Sequence, residues 1–457
     1  MNTRAAEEYY ATVLSRQEPS MLELLEKVTE RFRSEGHSLC KVLQPFFVDP
    51  STYEAAMAAA ALFVRGLHAA VALRVAGASR ELEAAPRRRE LLADALAKRT
   101  LLGGRVDMML TASGPKVLEF NPTSPDRMPG GVDYSDPIAS CFADSEVMRD
   151  FSQRYPNHSI SLYQRLFDSL VSKHRRRGGV GTPSIAEIRV PPGPTVRREP
   201  LPEALEAEML NLFGDLHGRG IGVQICELAD LRYDGEVLSA NGARIDIAFI
   251  GGNPDHLDTC PPDDLLWRAI RDGKISTACG YPLGSLLLDK SLMADLTDPV
   301  ITRSFDPDLA EGISKIVPWT RRVGDVETTF HGDPIDLLDF IRRNRERLVL
   351  KPADGMCGEG LILGWETPQE EWVERLAALP DGYIAQERVV GGKIELPYLE
   401  DGKIARAEFF YDFNPYVWND GQAEGALVRV SRTAVLNISQ GTGSVAPLFF
   451  LDPAPRA

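Results

Sequence analysis

The sequence of 457 residues is poor in cysteine, and its few cysteines lie far apart. No two of them form the C-x-x-C spacing that is typical of structural zinc sites, and scattered thiols do not make the disulfide framework of a small secreted domain. This pattern excludes the familiar zinc spacings and favours a reducing, cytoplasmic location. The six cysteines are Cys40, Cys141, Cys226, Cys260, Cys279 and Cys357.

The chain also lacks any excess of positive charge, since its formal net charge is -15. Nucleic acids and anionic membranes favour proteins with broad positive surfaces, so the sequence predicts neither as a partner. A phosphate-binding site in this protein must therefore be a local basic pocket.

Uninterrupted hydrophobic runs are scarce as well. The first ten residues, MNTRAAEEYY, have no apolar segment of the kind that a secretory signal needs. The most membrane-like run, at 55–76, is interrupted by Arg65, His68 and Arg74. We therefore expect a buried, alanine-rich helix there rather than a membrane span.

The length is sufficient for two or three domains, because single cores stop growing at roughly 250 to 300 residues. Helical spacing of apolar residues predicts helices at 21–36, 51–77 and 81–98, the second beginning at Ser51 in a capping box with Glu54. The first hundred residues are thus predicted to form a helical N-terminal region without readable chemistry.

Polar side chains lie in or beside two predicted strands, at 106–110 and 116–120, which are joined by the turn at 111–115. Asp107 lies on the first strand, whereas Glu119 and Asn121 are two residues apart and share one face of the second. Pairing of the strands would bring these carboxylate and amide oxygens together, and such oxygens are the ligands that Mg²⁺ prefers. The alternative is a solvated strand end without a ligand.

Farther along the chain, a glycine-rich loop joins two apolar runs, 348–350 and 361–363. Lys351 opens the loop, which has glycines at 355, 358 and 360. Glycines allow backbone N–H groups to turn toward an anion, and the lysine adds a point charge, so the loop is suited to phosphate. It is neither a Walker A sequence nor a Rossmann fingerprint, because a strand and not a helix follows the glycines. The alternative is a glycine-rich hairpin that binds nothing.

Between these motifs the pattern becomes α/β. Strands are predicted at 185–190, 223–228 and 243–250, with a helix at 203–217, which indicates a small doubly wound unit. After the glycine loop, a strand is expected at 383–389. The C-terminal part is predicted to be mostly β, with strands at 405–410, 425–430, 435–438 and 447–451.

Taken together and in this order, six segments resemble the circularly permuted ATP-grasp family, whose best-known relative is glutathionylspermidine synthase. In this family the metal-binding half of the site precedes the glycine loop and the adenine strand. The resemblance covers about residues 101 to 451, but an amidase domain is missing and the tip of the glycine loop differs. The segments are RVD at 105–107, LEFN at 118–121, DK at 289–290, VLKPADGMCGEG at 349–360, IAQERV at 384–389, and VRVSRTAVLN followed by GSVAP near the C-terminus.

The resemblance implies a mixed α+β and α/β fold, namely a circularly permuted ATP-grasp core with a small α/β substrate domain and a helical N-terminal region. The metal-binding strands and following helices would occupy 101–178, and the substrate domain 179–290. The ATP-binding loop and the C-terminal β part would occupy 291–457, after a helical region at 1–100.

The resemblance also implies a role for individual residues around ATP and Mg²⁺. Two arginines would act on the transferring phosphoryl group, although Arg432 is an alternative to the second of them. The implied catalytic residues are Arg105 and Arg429, and the implied metal ligands are Asp107, Glu119 and Asn121. The implied nucleotide-binding residues are Lys290, Lys351, Gly355, Gly358 and Gly360 around the phosphates, and Gln386, Glu387, Arg388 and Val389 beside adenine.

The activity that the resemblance implies is a ligase reaction, in which ATP activates a carboxylate as an acyl phosphate and an amine displaces phosphate to give an amide. The substrates would be small-molecule or peptide carboxylates and amines, with a carrier protein or a second copy of the chain as further partners. A phosphotransferase that stops after phosphorylation and a catalytically inactive nucleotide-binding protein are the two alternatives.

Overall fold

The computed structural model describes most of the chain, with gaps. The described residues are 3–15, 23–24, 26–28, 33–34, 37–77, 103–122, 132–190, 203–251, 257, 260–277, 286–355, 358–400, 403–418, 421–436, 438 and 443–452. The helix predicted at 81–98 and the loop tip at Met356 and Cys357 lie outside them.

The helices of the described residues lie between Thr3 and Ala377. In order they are α1 (Thr3–Ser15), α2 (Pro50–Ala76), α3 (Val132–Ala143), α4 (Glu146–Arg154), α5 (Leu162–Arg176), α6 (Glu203–Gly218), α7 (Leu265–Arg271), α8 (Leu292–Thr297), α9 (Pro299–Thr302), α10 (Pro307–Ile316), α11 (Leu337–Arg343) and α12 (Gln369–Ala377).

The strands form several separate sheets. In chain order they are β1 (Arg33–Ser34), β2 (His37–Ser38), β3 (Phe46–Val48), β4 (Gly104–Thr111), β5 (Gly114–Pro122), β6 (Asn157–His158), β7 (Ser184–Arg189), β8 (Gly222–Glu227), β9 (Leu231–Tyr233), β10 (Leu238–Ala240), β11 (Ala243–Ile245), β12 (Ile247–Gly251), β13 (Ser276–Thr277), β14 (Thr320–Arg322), β15 (Glu327–Phe330), β16 (Asp333–Asp336), β17 (Leu348–Pro352), β18 (Ile362–Leu363), β19 (Tyr383–Glu387), β20 (Lys393–Glu400), β21 (Lys403–Val417), β22 (Ala423–Ser431), β23 (Gly443–Ala446) and β24 (Leu448–Leu451).

The largest sheet joins the early polar hairpin to the C-terminal strands. Its order is β23-β22-β21-β4-β5, and β20 pairs with β21 as well. Strand β4 is antiparallel to β21, with Arg105 opposite Tyr416. Apolar side chains from both parts of the chain, including Phe120, Phe413 and Tyr416, share one buried core. The two halves of the sequence thus build one sheet.

Helix α2 packs inside the protein against this sheet. Of its most apolar stretch, 56% is buried, and that stretch is long and apolar enough to span a membrane by composition alone. Its N-cap is Asp49, which accepts a hydrogen bond from the Thr52 N–H at 2.9 Å, so the predicted cap at Ser51 is wrong. Asp49 takes this role because Pro50 occupies the first helical position. The expected buried helix is therefore found, and it begins at Pro50, one residue before the predicted start.

The N-terminal region is not helical throughout. Strands β1 and β2 pair as a short hairpin within and just after the helix predicted at 21–36. Strand β3 is fully buried and pairs in parallel with β24 at the opposite end of the chain. Because this pairing joins distant segments, helical spacing in the sequence carried no signal for it.

Most of the remaining predicted strands are observed, with two exceptions. The single strand predicted at 243–250 is wrong, because Asp246 exchanges hydrogen bonds with the backbone of Ser184 and divides the segment into β11, which pairs with β10, and β12, which belongs to the parallel sheet. Strands β13, β12, β7 and β8 form a parallel sheet in that order, as expected for a doubly wound unit. Strands β14, β19, β17 and β18 form the sheet of the glycine loop. The strand predicted at 435–438 is wrong, because Thr433 Oγ1 donates to the Val435 carbonyl at 3.2 Å and holds the described part of this segment in a turn.

The histidine on α2 makes the stability of the fold sensitive to acid. Burial lowers the pKa of His68 to about 4, and its Nε2 is buried without a hydrogen-bond partner among the described residues. The folded state thus binds the proton less tightly than the unfolded chain, whose histidine has a pKa of about 6.5. The contribution of neutral His68 to stability is complete above pH 6.5 and is lost as the pH falls through 4.

We therefore expect the His68→Leu variant to lose about 3 kcal/mol less stability than the wild type between pH 7.5 and pH 4. Urea unfolding at the two pH values measures this difference. His217→Leu, which removes an exposed histidine elsewhere in the fold, is the comparison variant measured alongside His68→Leu. An unchanged pH dependence in His68→Leu would contradict the prediction.

Candidate active site

The hairpin of β4 and β5 brings the predicted polar residues to one place. Asp107 lies opposite Glu119 and Arg105 lies opposite Asn121, so the four side chains share one face of the hairpin. A bulge follows Asp107, and the freed Met108 N–H donates to Asn414 Oδ1 at 3.2 Å. The side chains converge because residues two apart in a strand lie on the same face, and the pairing of the strands stays regular as far as Asp107.

Asp107 is buried, with 2% of its surface exposed, and is held by two arginines. Its Oδ1 accepts from Arg105 Nε at 2.7 Å, and its Oδ2 accepts from Arg105 Nη2 at 3.2 Å and from Arg429 Nη2 at 2.7 Å. Burial raises the pKa of Asp107, but the two guanidinium groups outweigh it and lower the pKa to about 2. Asp107 is therefore an anion that links two cations.

Arg429 is the arginine of the C-terminal segment that reaches this cluster. It lies opposite Asp412 on the neighbouring strand and donates to it through Nε at 2.9 Å. Arg432 instead lies near the surface, where its Nη1 donates to Tyr398 Oη at 3.1 Å and to Glu400 at 3.0 Å. Of the two candidate arginines, the structure brings Arg429 and not Arg432 beside Asp107.

Two residues of the cluster have no counterpart in the sequence prediction. Asp412 and Asn414 are fully buried on β21, and Asn414 Nδ2 donates to Asp412 Oδ1 at 2.6 Å. Burial raises the pKa of Asp412, while Arg429 opposes this rise. The sequence did contain a signal for them, because the two polar residues flank Phe413 within an otherwise apolar strand. Polar side chains that are buried in such a strand need hydrogen-bond partners.

The two predicted lysines lie at the mouth of the glycine loop. Lys290 donates through its backbone N–H to the Ala353 carbonyl at 2.9 Å and through Nζ to the Gly355 carbonyl, and its Nζ lies 3.6 Å from Glu119. Lys351 Nζ donates to Gln386 Oε1 at 2.8 Å. Burial lowers the pKa of Lys351, with Glu119 opposing and Lys290 adding to the shift. The hairpin and the loop therefore face the same space.

The glycine loop has the backbone that its sequence predicts. Gly358 and Gly360 have φ angles of +75° and +71°, in the left-handed region that glycine adopts without strain. A side chain at Gly360 would also come within 2.7 Å of Tyr383 Oη. The loop thus requires glycine at these positions, and together with Gly355 it forms one side of the site.

The segment from Gln386 to Val389 begins with the last two residues of β19, an inner strand of the same sheet, and continues beyond the strand. Gln386 is buried, whereas the carboxylate of Glu387 lies 3.0 Å from His331 Nε2. The backbone N–H groups of Glu387 and Arg388 donate to carbonyls within the protein. The predicted contact with adenine through the backbone would therefore fall to the other backbone groups of this segment, among them those of half-buried Val389.

The predicted metal ligands differ in how well they fit Mg²⁺. No hydrogen bond to the Glu119 carboxylate is found among the described residues, and Asn121 has a buried amide nitrogen with no partner there. These two groups fit an oxygen-preferring cation, the amide through its oxygen. Both oxygens of Asp107 already accept from arginine, so its predicted ligand role has the weaker geometric basis. Within the described chain, no group of three or more His, Cys, Asp or Glu side chains could hold a metal.

Comparison with known proteins places the fold but not the family. No family model matches the sequence. Over 171 residues the chain is 27% identical to uncharacterised proteins of Mycobacterium bovis and Mycobacterium tuberculosis, a match that covers 35% of this chain and 30% of those proteins. The chain thus spans less than a third of the length of the curated relatives that it matches.

Solved structures match over a larger part of the chain. A glutathione synthetase-like effector from Globodera pallida in its apo form matches with a TM-score of 0.58 and 12% identity, covering 95% of this chain and 98% of that one. A putative gamma-glutamylcysteine synthetase from Methylobacillus flagellatus matches with a TM-score of 0.42 and 12% identity over 80% of this chain and 85% of that one. The first of these matches shows that the chain shares the overall mixed α/β fold of that solved structure.

Proposed function

We propose that this protein is an ATP-dependent ligase that joins a carboxylate to an amine through an acyl phosphate and releases ADP and phosphate. The observation that carries the proposal is the convergence of Arg105, Arg429, Lys290 and Lys351 on one space beside the glycine loop. The fold shared with a glutathione synthetase-like protein supports the same class of reaction. The circularly permuted order of the motifs is part of the proposal.

The charges of the cluster suit phosphoryl transfer. Four cationic side chains face three carboxylates, those of Asp107, Glu119 and Asp412. Phosphoryl transfer needs little covalent help from a protein but needs fixed positive groups where negative charge develops. A site with an excess of cations held in place by buried carboxylates meets that need before any substrate binds.

Each residue has a distinct role in the proposal. Lys290 and Lys351 hold the phosphates of ATP beneath the loop of Gly355, Gly358 and Gly360. The segment from Gln386 to Val389 binds adenine. Arg105 and Arg429, oriented by Asp107 and Asp412, face the phosphoryl group as it moves from ATP to the carboxylate.

Mg²⁺ belongs to the proposal as a bound cofactor. Glu119 and Asn121 would hold it, with Asp107 as the third predicted ligand. When bound, it would supply positive charge to the phosphate oxygens. The two lysines and two arginines would align ATP and shield the reacting atoms from water, whether or not Asp107 binds the metal ion.

The substrates are proposed from the position of the α/β unit. The parallel sheet of β13, β12, β7 and β8 is the kind of element whose strand ends form binding crevices. We propose that it binds the carboxylate or amine substrate, whether a small molecule, a peptide or a group on a carrier protein. A cytoplasmic location agrees with the described free thiols of Cys40, Cys141, Cys226 and Cys260.

A screen for ADP release with panels of carboxylic acids and amines tests the proposal. We expect ADP to form only when an acid and an amine are both present, with an amide as the second product. A stable phosphorylated product without an amine would instead identify a phosphotransferase. Tight binding of ATP without ADP formation across the whole screen would identify a nucleotide-binding protein without catalysis.

A further inference from the structure

An arginine at the end of helix α2 reaches the segment that carries Lys290. Arg74 donates through Nη1 to Asp289 at 2.6 Å and through Nη2 to Ser291 Oγ at 2.8 Å, so it binds the residues on both sides of Lys290. Its Nε donates to Asp295 at 2.6 Å. Only 13% of its side chain is exposed. These contacts join residues 215 to 221 positions apart in the sequence.

The residues that Arg74 holds also fix the backbone around Lys290. Asp289 accepts from the Ser291 N–H at 2.8 Å and from Ser291 Oγ at 2.6 Å, which closes a tight turn over Lys290. Burial raises the pKa of Asp289, but the hydrogen bond from Ser291 and the charge of Arg74 outweigh it and lower the pKa. The carboxylate is therefore ionised and oriented.

Lys290 is held at its two ends as a result. Its backbone N–H is bonded to the Ala353 carbonyl, and its ammonium group lies between the Gly355 carbonyl and Glu119. A lysine with four flexible methylene groups needs a fixed backbone if its charge is to stay at one point. The turn that Arg74 stabilises provides that fixed backbone.

Helix α2 is itself firmly placed, so Arg74 has a rigid base. A side chain at Gly66 would come within 2.6 Å of Ile313 on α10, and one at Gly312 within 2.8 Å of Leu62. A Cβ at either glycine would have to push the facing side chain aside, so the two helices pack closely at these positions. Asp295, which accepts from Arg74, also forms an ion pair with Arg322, whose Nη2 lies 2.7 Å from Asp295 Oδ1. This second pair holds the Asp295 carboxylate in place.

We propose that Arg74 is a positioning residue of the nucleotide site, which sets the place of the Lys290 ammonium group by holding Asp289 and Ser291. The inference rests on the proposed function, because it takes Lys290 as a phosphate-binding lysine. It makes α2 part of the nucleotide site, although no motif in the sequence of the first hundred residues points to a site.

The test measures the affinity for the β,γ-imido analogue of ATP with Mg²⁺, by calorimetry, together with the unfolding temperature of the free protein. We expect Arg74→Met to weaken binding roughly 10- to 100-fold, as residues that orient a binding group commonly do. Asp289→Asn should also weaken binding, but it leaves the ion pair between Arg74 and Asp295 intact. It therefore replaces Arg74→Met as the test if that variant does not fold. Arg65→Met, an exposed charge removed from the same helix, should bind as the wild type does.

A double-mutant cycle with Lys290→Ala separates positioning from general loss of structure. If Arg74 acts through Lys290, Arg74→Met should change affinity by less than about 2-fold when Lys290 is already absent. The same loss with and without Lys290, or wild-type affinity in both Arg74→Met and Asp289→Asn, would overturn the inference. Absence of analogue binding by the wild type would instead reject the proposed function, and the inference with it.

Discussion

Replacing Asp107 with asparagine is expected to lower the free energy of unfolding by about 3 to 5 kcal/mol, because it removes the charge that links two largely buried arginines. Arg105 and Arg429 would then face each other across a neutral amide, with 12% and 18% of their side chains exposed. Urea unfolding at neutral pH measures the effect. We also expect ATP turnover to be lost, since both arginines are proposed to face the phosphoryl group.

Glu119→Gln is the matched control for this variant. Glu119 lies directly opposite Asp107 in the hairpin but is partly exposed, and its nearest charged partner is Lys290 at 3.6 Å. A single pair at this longer distance, which solvent still reaches at Glu119, should contribute about 1 kcal/mol or less, so stability should change little while ATP turnover falls. Equal stability of Asp107→Asn and Glu119→Gln would contradict the structural role of Asp107 and favour its action as an ordinary metal ligand.

The ion pairs of Asp107 with Arg105 and Arg429 also predict how the stability of the protein depends on pH in acid. The folded-state pKa of Asp107, about 2, lies below the value of about 3.9 that an unfolded aspartate has. Its stabilisation is therefore present above about pH 4 and is lost as the pH falls from there through 2. His68 acts at higher pH, so the two residues affect separate parts of the acid range.

Replacing Lys351 with methionine is expected to reduce ATP turnover about 100- to 1000-fold, the usual effect of removing one group that stabilises developing charge. Lys351 is one of the two lysines at the mouth of the glycine loop, and burial weakens its hydration so that its charge acts strongly at short range. ADP release at saturating ATP measures the effect. Binding of the imido analogue shows how much of it arises from affinity.

Stability must be measured for the same variant, because Lys351 donates to the buried side chain of Gln386. Leaving that acceptor without its donor costs about 1 to 3 kcal/mol, which would lower the unfolding temperature without unfolding the protein at room temperature. Lys393→Met is the control, since Lys393 forms an exposed pair with Glu408. A folded Lys351→Met protein with wild-type turnover would show that Lys351 has no part in catalysis.

The sequence by itself determined the local elements of the site. Side chains alternate between the two faces of a strand, which put Glu119 and Asn121 on one face. The glycines at 358 and 360 fixed the conformation of the loop after Lys351. Such features follow from backbone geometry within a few residues, which the sequence encodes directly. For this reason the hairpin, the loop and the parallel α/β unit could all be predicted.

Only the tertiary structure decided which distant residues meet. The choice of Arg429 over Arg432, the burial of Asp412 and the contact of Arg74 with Asp289 all join segments from different elements of the fold. The last of these spans 215 residues and the contact of Arg429 with Asp107 spans 322. A guanidinium group has the same local preferences at the surface as in a buried network, so its partner depends on how helices and sheets pack and not on its neighbours in sequence.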